Sequence, residues 1–540
     1  MPLTTRDLTL AALRAAYAAG SLTPTEVCRQ LLPAIAASRA VFIARPKDEE
    51  VLERCRYLES LPAAQRGPLW GIPFAVKDNI DVAGLPTTAA CPDFKYTPSE
   101  HARAVQPLLD AGGICLGKTN MDQFACGLVG TRTPYGIPAN AFDDRFTPGG
   151  SSCGSAVAVA EGLCTFALGT DTAGSGRVPA GNNGIVGIKP SVGRFSTSGV
   201  VPACYLLDCV SVFALAVEDG AEVARLMENA DIADPTYRLP NAAHLQKRYQ
   251  PQAAFRFAVP GPEFLDDSFQ GPGGELVRQA MAAAWGEAVA RLQALGGQLV
   301  PGFDFAPFAE TAVLLYGAAF VAERYAGIRA FLEGPAGRPA ARGGLADCSS
   351  DGRMLKVIRS IISKTSNFSS ADVFEGLQQL SQLRAKCRAE LAKADVLVVP
   401  TSAYNYTVQE ILAEEEEPPY KKVTFRKNAN LGRWTNFVNL QDMCGVSVFS
   451  GLLRLQPNGS SNGATSSSGV AAEEQQQRAE HLAATGNANP VLPFGITLLA
   501  PSWTDEYVAS IAAAYEKATG LQAGPLGHGV TPYRSQQAQQ

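Results

Sequence analysis

Short apolar segments, long enough only for strands, alternate with amphipathic helical segments along most of this chain. The predicted strands are residues 71–76, 114–116, 396–399, 446–449 and 496–499. The predicted helices are residues 5–20, 24–36, 101–110, 155–162, 279–295, 309–332 and 370–392. Strands that are apolar at nearly every position are typical of a sheet buried on both faces. The alternation therefore predicts an α/β fold, a sheet covered by helices on both faces.

Composition limits the classes of partner that this chain can have. Its 540 residues carry 46 Lys and Arg against 51 Asp and Glu, which is a net charge of −5. Only 18% of the residues are charged, against about 25% in typical domains, which favours a large buried fraction. A mildly acidic chain lacks the positive field that nucleic-acid binding requires. No run of 18 apolar residues occurs, so we expect no membrane span.

The cysteines and the N-terminal segment bear on cellular location. The twelve cysteines are scattered singly without a CxxC pair, which is typical of reduced, buried thiols in a cytoplasmic protein. The Ala-rich segment 8–20 lacks the charged, apolar and cleavage regions of a signal peptide. An organellar transit peptide stays open, because Arg6 and Arg14 lie on an amphipathic stretch.

Low-complexity segments divide the chain into a body and peripheral insertions. Residues 335–350 are rich in Gly, Ala and Pro, residues 412–421 contain an acidic run followed by prolines, and residues 456–488 are rich in Ser, Gly, Gln and Ala. We interpret all three as loop insertions within one domain covering residues 1–522. Residues 523–540 are predicted to form a polar tail.

Residues 112–119 match the phosphate-loop pattern G-x4-G-K-[ST]. That motif requires a strand, then a glycine-rich loop, then a helix. Here the spacer has the composition of a strand and follows a predicted helix. We therefore interpret the segment as a glycine that ends a helix, followed by a core strand.

Two clusters of Gly, Ser and Thr lie at residues 149–155 and 169–175, on either side of an apolar small-residue helix and a strand. Glycines allow the backbone to approach a ligand closely, and successive N–H groups can converge on an anion. From composition alone, a binding loop and a set of tight turns are equally favoured.

The order of three motifs adds a family resemblance. Residues 71–79 read GIPFAVKDN, residues 149–155 read GGSSCGS, and residues 169–175 read GTDTAGS. This set resembles the amidase signature family from about residue 5 to about residue 520, which implies a large mixed central sheet. The resemblance implies a catalytic triad with Ser175 as nucleophile, Ser151 as bridging residue and Lys77 as base. It also implies an oxyanion hole formed by the N–H groups of Thr172, Ala173, Gly174 and Ser175.

The physical chemistry of these residues agrees with the implied triad. A serine needs a neighbouring base, and this chain has only four histidines, none in a metal-binding pattern. Lys77 can act as the base if burial lowers its pKa from about 10.4. The family resemblance implies a cis peptide between Gly150 and Ser151. It also implies an enzyme that uses neither a metal nor a cofactor. Without the motifs, Lys77 would be interpreted as a surface lysine and both serines as turn residues.

Further segments resemble the allophanate hydrolases within this family, among them residues 127–136, 169–180, 199–204 and 431–440. In that group a Tyr and an Arg bind the substrate carboxylate, which here implies Tyr316 and Arg324 on one helix. The alternative is an ordinary surface arginine, although Arg324 has no acidic neighbour three or four residues away. We expect Asp171, Arg177 and Asp208 to be structural partners nearby.

The resemblance implies hydrolysis of allophanate to ammonia and N-carboxycarbamate, the second step of ATP-dependent urea degradation. The C-terminal domain of longer allophanate hydrolases is expected to be absent, and urea carboxylase is expected as a pathway partner, not necessarily a bound one. A homodimer is expected by family analogy. Two alternatives stay open: an amidase for another small carboxylate such as malonamate, and a catalytically silent subunit that acts by interaction.

Overall fold

The computed structural model describes residues 7–228, 230–239, 242–268, 274–334, 351–416, 426–454, 490–525 and 534. The predicted insertions at 335–350 and 456–488 lie outside these residues, as does most of the predicted tail. Within the described tail, the Arg534 guanidinium binds the Glu161 carboxylate at 2.6 Å and the Asn140 carbonyl oxygen at 2.8 Å.

Eleven described strands form one mixed sheet, in the order β1-β3-β2-β4-β6-β5-β10-β11-β9-β7-β8. The strands are β1 (Phe42–Ala44), β2 (Pro73–Lys77), β3 (Ile114–Thr119), β4 (Phe166–Asp171), β5 (Val186–Lys189), β6 (Cys209–Ala214), β7 (Phe255–Ala258), β8 (Gly297–Leu299), β9 (Val396–Pro400), β10 (Met443–Arg454) and β11 (Val491–Pro501). β2 is parallel to both β3 and β4, whereas β4 and β6 are antiparallel. The predicted α/β class, with its large mixed sheet covered by helices on both faces, is confirmed.

The described helices are α1 (Leu10–Ala18), α2 (Pro24–Ala37), α3 (Asp48–Ser60), α4 (Gln106–Asp110), α5 (Cys153–Ala160), α6 (Val178–Asn182), α7 (Val217–Leu226), α8 (Ala242–Leu245), α9 (Pro262–Ser268), α10 (Gly274–Ala294), α11 (Ala306–Gly317), α12 (Ala322–Gly327), α13 (Arg329–Glu333), α14 (Lys356–Ile362), α15 (Ser370–Leu391), α16 (Val408–Glu416), α17 (Arg426–Leu431), α18 (Phe437–Leu440) and α19 (Asp505–Thr519). None of them combines the length and the apolar character that crossing a membrane requires. The cysteines that the structure describes are free thiols.

Helix α5 lies at the centre of the core because its residues are small. All eight of its residues are buried, and it packs against β2, β3 and β4. A Cβ atom at Gly154 would lie 2.5 Å from both the Asn120 nitrogen and the Val41 carbonyl oxygen. The helix therefore approaches neighbouring backbone more closely than a larger side chain would allow, and this holds the preceding turn in place.

The prediction of one continuous helix at 309–332 is wrong. Helix α11 ends at Gly317, Ala318 is extended with φ −130° and ψ −171°, and a short 3-10 helix, Ala319–Val321, leads into α12. Apolar periodicity continues across the break because the segments on both sides of it bury apolar side chains, although they do so in different hydrophobic clusters. A change in backbone direction leaves that periodicity unchanged.

The interpretation of residues 412–421 as a loop is partly wrong, since residues 412–416 form the end of α16. Glu415 binds the buried Arg132 guanidinium at 2.8 Å, so the acidic run is anchored on the body. Residues 417–421 lie outside the described residues.

The interpretation of the phosphate-loop pattern is confirmed, because residues 114–119 form β3 in the sheet. Lys118 is buried, and its ammonium lies 3.4 Å from the Asp78 carboxylate and 2.9 Å from the Thr87 hydroxyl. The Lys118 charge is therefore paired with a buried carboxylate inside the fold.

Candidate active site

Lys77 and the loop that carries Ser175 meet at one edge of the sheet because β2 and β4 are parallel neighbours. Val76 pairs with Leu168, so Lys77, at the end of β2, lies beside the last residues of β4. The segment 172–177 leaves β4 at this edge and leads into α6. Both strands are entirely buried, which carries the ammonium into the protein interior.

Ser151 reaches the same edge from the N-terminal side of α5. The peptide bond between Gly150 and Ser151 is cis. The Ser152 hydroxyl donates to the Thr170 carbonyl oxygen at 3.2 Å, and the Asp122 N–H donates to the Ser151 carbonyl oxygen at 3.0 Å. A Cβ atom at Gly150 would lie 2.1 Å from an Asp122 carboxylate oxygen, so only glycine fits there. These contacts fix the turn against β4.

The Lys77 amine contacts two hydroxyl groups. Its Nζ lies 2.7 Å from Ser151 Oγ and 2.7 Å from Thr170 Oγ1. Lys77 and Ser151 are each 0% exposed, which removes the alternative of a surface lysine. Burial lowers the pKa of Lys77 to about 7, although surrounding acidic groups oppose this shift. A large fraction of the amine is therefore neutral and able to accept a proton near neutral pH.

Ser175 lies in the loop between β4 and α6 and is 2% exposed. Within the part of the chain described here, its hydroxyl makes no hydrogen bond, so the predicted contact between Ser151 and Ser175 is not among the contacts of this structure. The motif thus brings Lys77 and Ser151 into direct contact and places Ser175 at the same sheet edge.

The same loop presents free backbone donors. Among the described residues, the N–H groups of Thr172, Ala173, Gly174 and Ser175 have no hydrogen-bond partner. Buried N–H groups are rarely unpaired, and successive ones form a site for an oxyanion. Gly174 has φ +136°, and a Cβ atom there would lie 2.3 Å from Thr435 Oγ1, so glycine is required.

Two buried carboxylates hold this loop, as expected of Asp171 and Asp208. Asp171 accepts two hydrogen bonds of 2.9 Å from Arg177. Burial would raise the pKa of Asp171, but the Arg177 guanidinium outweighs this effect and holds the pKa below its ordinary value. Asp208 accepts a hydrogen bond from the Thr172 hydroxyl and one of 2.7 Å from the Ala203 N–H. Burial raises the pKa of Asp208.

Tyr316 and Arg324 are brought together by the break between α11 and α12. The Arg324 guanidinium donates to the Tyr316 hydroxyl at 2.8 Å and to the Ala125 carbonyl oxygen at 3.4 Å. The Arg324 side chain is buried, which excludes the surface arginine, and burial raises the pKa of Tyr316 to about 12. In the described part of the chain Arg324 has no carboxylate within salt-bridge distance, and its Nε has no hydrogen-bond partner. This guanidinium can therefore accept an anionic ligand.

Sequence reasoning assigned no role to two residues that the structure places at the site. Thr170 contacts the Lys77 amine and also accepts from the Asn79 side-chain amide at 3.3 Å. Thr435 packs against Gly174. Thr170 belongs to the motif at residues 169–175. Its position on β4, next to the end of β2, is the feature that could have identified it as a neighbour of Lys77. The described residues include no group of three or more His, Cys, Asp or Glu side chains suited to a metal ion.

Comparisons with known proteins show which family the chain resembles. Residues 29–508 match the family model described as Amidase. The urea amidolyase of Lachancea kluyveri is 37% identical over 451 residues, which cover 83% of this chain and 23% of that protein. One subunit of the glutamyl-tRNA(Gln) amidotransferase of Symbiobacterium thermophilum is 34% identical over 417 residues, covering 74% of this chain and 82% of that protein.

Among solved structures, the Kluyveromyces lactis allophanate hydrolase matches with a TM-score of 0.76 and 33% identity, covering 96% of this chain and 73% of that chain. The chain spans less than a quarter of the length of the urea amidolyase that it matches. The family match covers most of the sequence, and the three motifs meet at one edge of the sheet. The chain therefore belongs to the amidase family.

Proposed function

We propose that this chain is an allophanate hydrolase that releases ammonia and N-carboxycarbamate through a Ser–Ser–Lys acyl-enzyme mechanism. The similarity to a urea amidolyase and to an allophanate hydrolase supports the substrate. The contact between the buried Lys77 amine and Ser151 supports the mechanism.

In the first step, Ser175 Oγ attacks the amide carbon and a C–O bond forms. The Ser175 proton passes to Ser151, whose own proton passes to the neutral Lys77 amine. The C=O electron pair moves onto oxygen, and the N–H groups of residues 172–175 stabilise the resulting oxyanion. This step needs Ser151 to accept a hydrogen bond from Ser175, which lies at the same edge of the sheet.

In the second step, the C–N bond breaks as the oxyanion collapses. Lys77 returns its proton through Ser151 to the leaving nitrogen, which departs as ammonia. Water then attacks the acyl-enzyme with the same relay acting as base, and the product carboxylate and Ser175 are released. Lys77 thus accepts and donates one proton in each half of the reaction.

The observation that carries the substrate assignment is the buried Arg324 guanidinium. It lacks a carboxylate partner among the described residues and lies against Tyr316 and Ala125. A guanidinium binds a carboxylate through two parallel hydrogen bonds, and allophanate carries a carboxylate next to its reacting amide. We further propose a urea carboxylase as the enzyme that supplies this substrate, and a homodimeric, cytosolic protein.

The pH dependence of the reaction tests the role of Lys77. The proton relay requires the unprotonated amine, whose pKa is lowered to about 7 by burial. We expect kcat/KM to fall about tenfold per pH unit below this value and to reach a plateau above it. Stopped assays of ammonia release between pH 5 and pH 9 measure this profile. A profile that is flat between pH 6 and pH 9 would contradict Lys77 as the base.

A three-substrate assay tests the substrate. The purified protein is incubated separately with allophanate, malonamate and glutamine, and the ammonia released is measured. We expect kcat/KM to be highest for allophanate. Glutamine is included because one relative belongs to a glutamyl-tRNA(Gln) amidotransferase.

Each outcome of this assay assigns a different function to the chain. Activity on malonamate alone would replace allophanate by another small carboxylated amide, and activity on glutamine alone would assign a glutaminase. Failure on all three substrates, together with no labelling by a fluorophosphonate probe, would favour a catalytically silent subunit.

A further inference from the structure

A cavity of about 480 Å³ lies beside the site, between α11, α17 and the 3-10 helix Ser363–Asn367. Small-molecule sites typically have volumes of about 300–1,000 Å³. The hydrogen-bonded group of Lys77, Ser151 and Thr170 is not part of its wall. The cavity therefore adjoins the candidate site without including these three groups, and its relation to that site decides what it can do.

The inner wall of the cavity consists of residues that adjoin the active site. Tyr316, which holds the Arg324 guanidinium, is one lining residue, and Asn436 is another. Thr435, next to Asn436, packs against Gly174 in the loop with the free N–H groups. The cavity wall thus includes the hydrogen-bond partner of the guanidinium and the sequence neighbour of the residue that contacts the nucleophile loop.

The charged side chains described on the cavity wall are all positive. Lys364, Arg426 and Arg433 line the cavity, and none of the described residues that line it is acidic. Three cations around a concave space raise the local concentration of anions.

Asn436 adds a directional acceptor to this wall. The residue is 5% exposed, and its Oδ1 has no hydrogen-bond partner within the described chain. Its amide nitrogen donates to the Ala312 carbonyl oxygen at 3.4 Å, which leaves the oxygen free for a ligand. A buried acceptor without a partner is costly, and an N–H group of an amide substrate would satisfy it.

We propose that this cavity is the passage through which substrate reaches Ser175, and that Lys364, Arg426 and Arg433 select anionic amides there. This inference rests on the proposed function, because it concerns the substrate of the same site. Asn436 orients the amide end by accepting its N–H group, while the carboxylate proceeds toward Arg324.

A charge series at Val313 tests the passage. Val313 lines the cavity and is 67% exposed on α11, so polar substitutions there are compatible with folding. At low ionic strength we expect Val313→Glu to have a kcat/KM for anionic amides about three- to tenfold below that of Val313→Gln, and Val313→Lys to equal or exceed it. In 0.5 M salt the difference should shrink below about twofold, because the Debye length becomes a few ångströms.

Two controls distinguish an effect of charge on substrate passage through the cavity from an effect of the protein's overall charge. Tyr57→Glu, an exposed position on α3, should leave kcat/KM unchanged. Labelling of Ser175 by a neutral fluorophosphonate should proceed equally in all three Val313 variants, whereas an anionic phosphonate should label Val313→Glu more slowly. Equal rates of anionic labelling in the three variants would overturn the passage.

The two proposals fail differently. If malonamate replaces allophanate as substrate, the proposed function fails, while the Val313 series still reports on passage through malonamate hydrolysis. If allophanate is hydrolysed and the Val313 series is flat at low salt, the function holds and the passage is wrong. If no anionic amide is hydrolysed, the labelling rates decide.

Discussion

Replacing Lys77 by methionine is expected to lower kcat/KM for allophanate by about a thousandfold or more, because Ser175 then lacks its base. Methionine has a similar length and leaves no charge in the buried position. Ammonia release measures the loss, and fluorophosphonate labelling measures the reactivity of Ser175 directly. Ser175→Ala should remove labelling altogether. Labelling of Lys77→Met at the wild-type rate would be incompatible with the proposed relay.

The same substitution is expected to stabilise the protein at and below neutral pH. The pKa of Lys77 is about 7 in the folded state, against an ordinary value of 10.5. The unfolded chain therefore binds more protons between these two values, and wild-type stability rises with pH across this window. Below pH 7 the full cost of burying the amine is present, at about 1.4 kcal/mol per pKa unit, partly offset by two hydrogen bonds of about 1 kcal/mol each.

Urea unfolding at pH 6 and pH 9 measures this effect. The free energy of unfolding of Lys77→Met should exceed that of the wild type by about 1–3 kcal/mol at pH 6, and by less at pH 9. Lys118→Met is the matched control, since it also removes a buried lysine but leaves the Asp78 carboxylate without its cation. We expect it to destabilise the fold by about 3–5 kcal/mol. A Lys77 variant that is destabilised to the same extent would show that Lys77 is a structural residue.

The strands that the sequence predicted are those in which apolar side chains are consecutive. β9 is buried at every position, and its composition alone identifies it. β7 and β8 lie at the end of the sheet, and β8 has one buried residue in three. Such short strands are defined by pairing with a neighbour that is distant in sequence, and local pattern does not contain that information.

The candidate active site likewise combines residues from local motifs with residues that only the folded chain brings close. Each motif is local in sequence, and the assignment of catalytic roles to its residues stays a prediction. In the structure Lys77 and Ser151 are in contact, and the N–H groups of the Ser175 loop have no partner among the described residues. The contribution of Thr435 comes from a segment far away in sequence and needed the folded chain. The predicted helix from Tyr316 to Arg324 would have kept the two side chains apart. The backbone break at Ala318 is what brings them into contact.

Replacing Arg324 by methionine is expected to lower kcat/KM for allophanate by about 30- to 5,000-fold, mainly through KM. Truncating one partner of a buried charge pair costs about 2–5 kcal/mol, since the substrate carboxylate would enter the site without its cation. Hydrolysis of neutral amides should change little. Arg324→Lys should fall between the wild type and Arg324→Met, because an ammonium cannot supply two parallel hydrogen bonds. Steady-state kinetics on a carboxylated and a neutral amide measure this discrimination.

The ligand-free protein provides an independent measurement of the same role. Arg324 is buried with its Nε unpartnered among the described residues, so its charge is costly until an anion binds. Malonate should therefore raise the melting temperature of the wild type, and it should not raise that of Arg324→Met. Arg329→Met, an exposed position on α13 paired with Glu333 at 2.8 Å, is the matched control and should respond as the wild type does. Equal losses on carboxylated and neutral amides, with an unchanged response to malonate, would mean that Arg324 supports the fold without recognising the carboxylate.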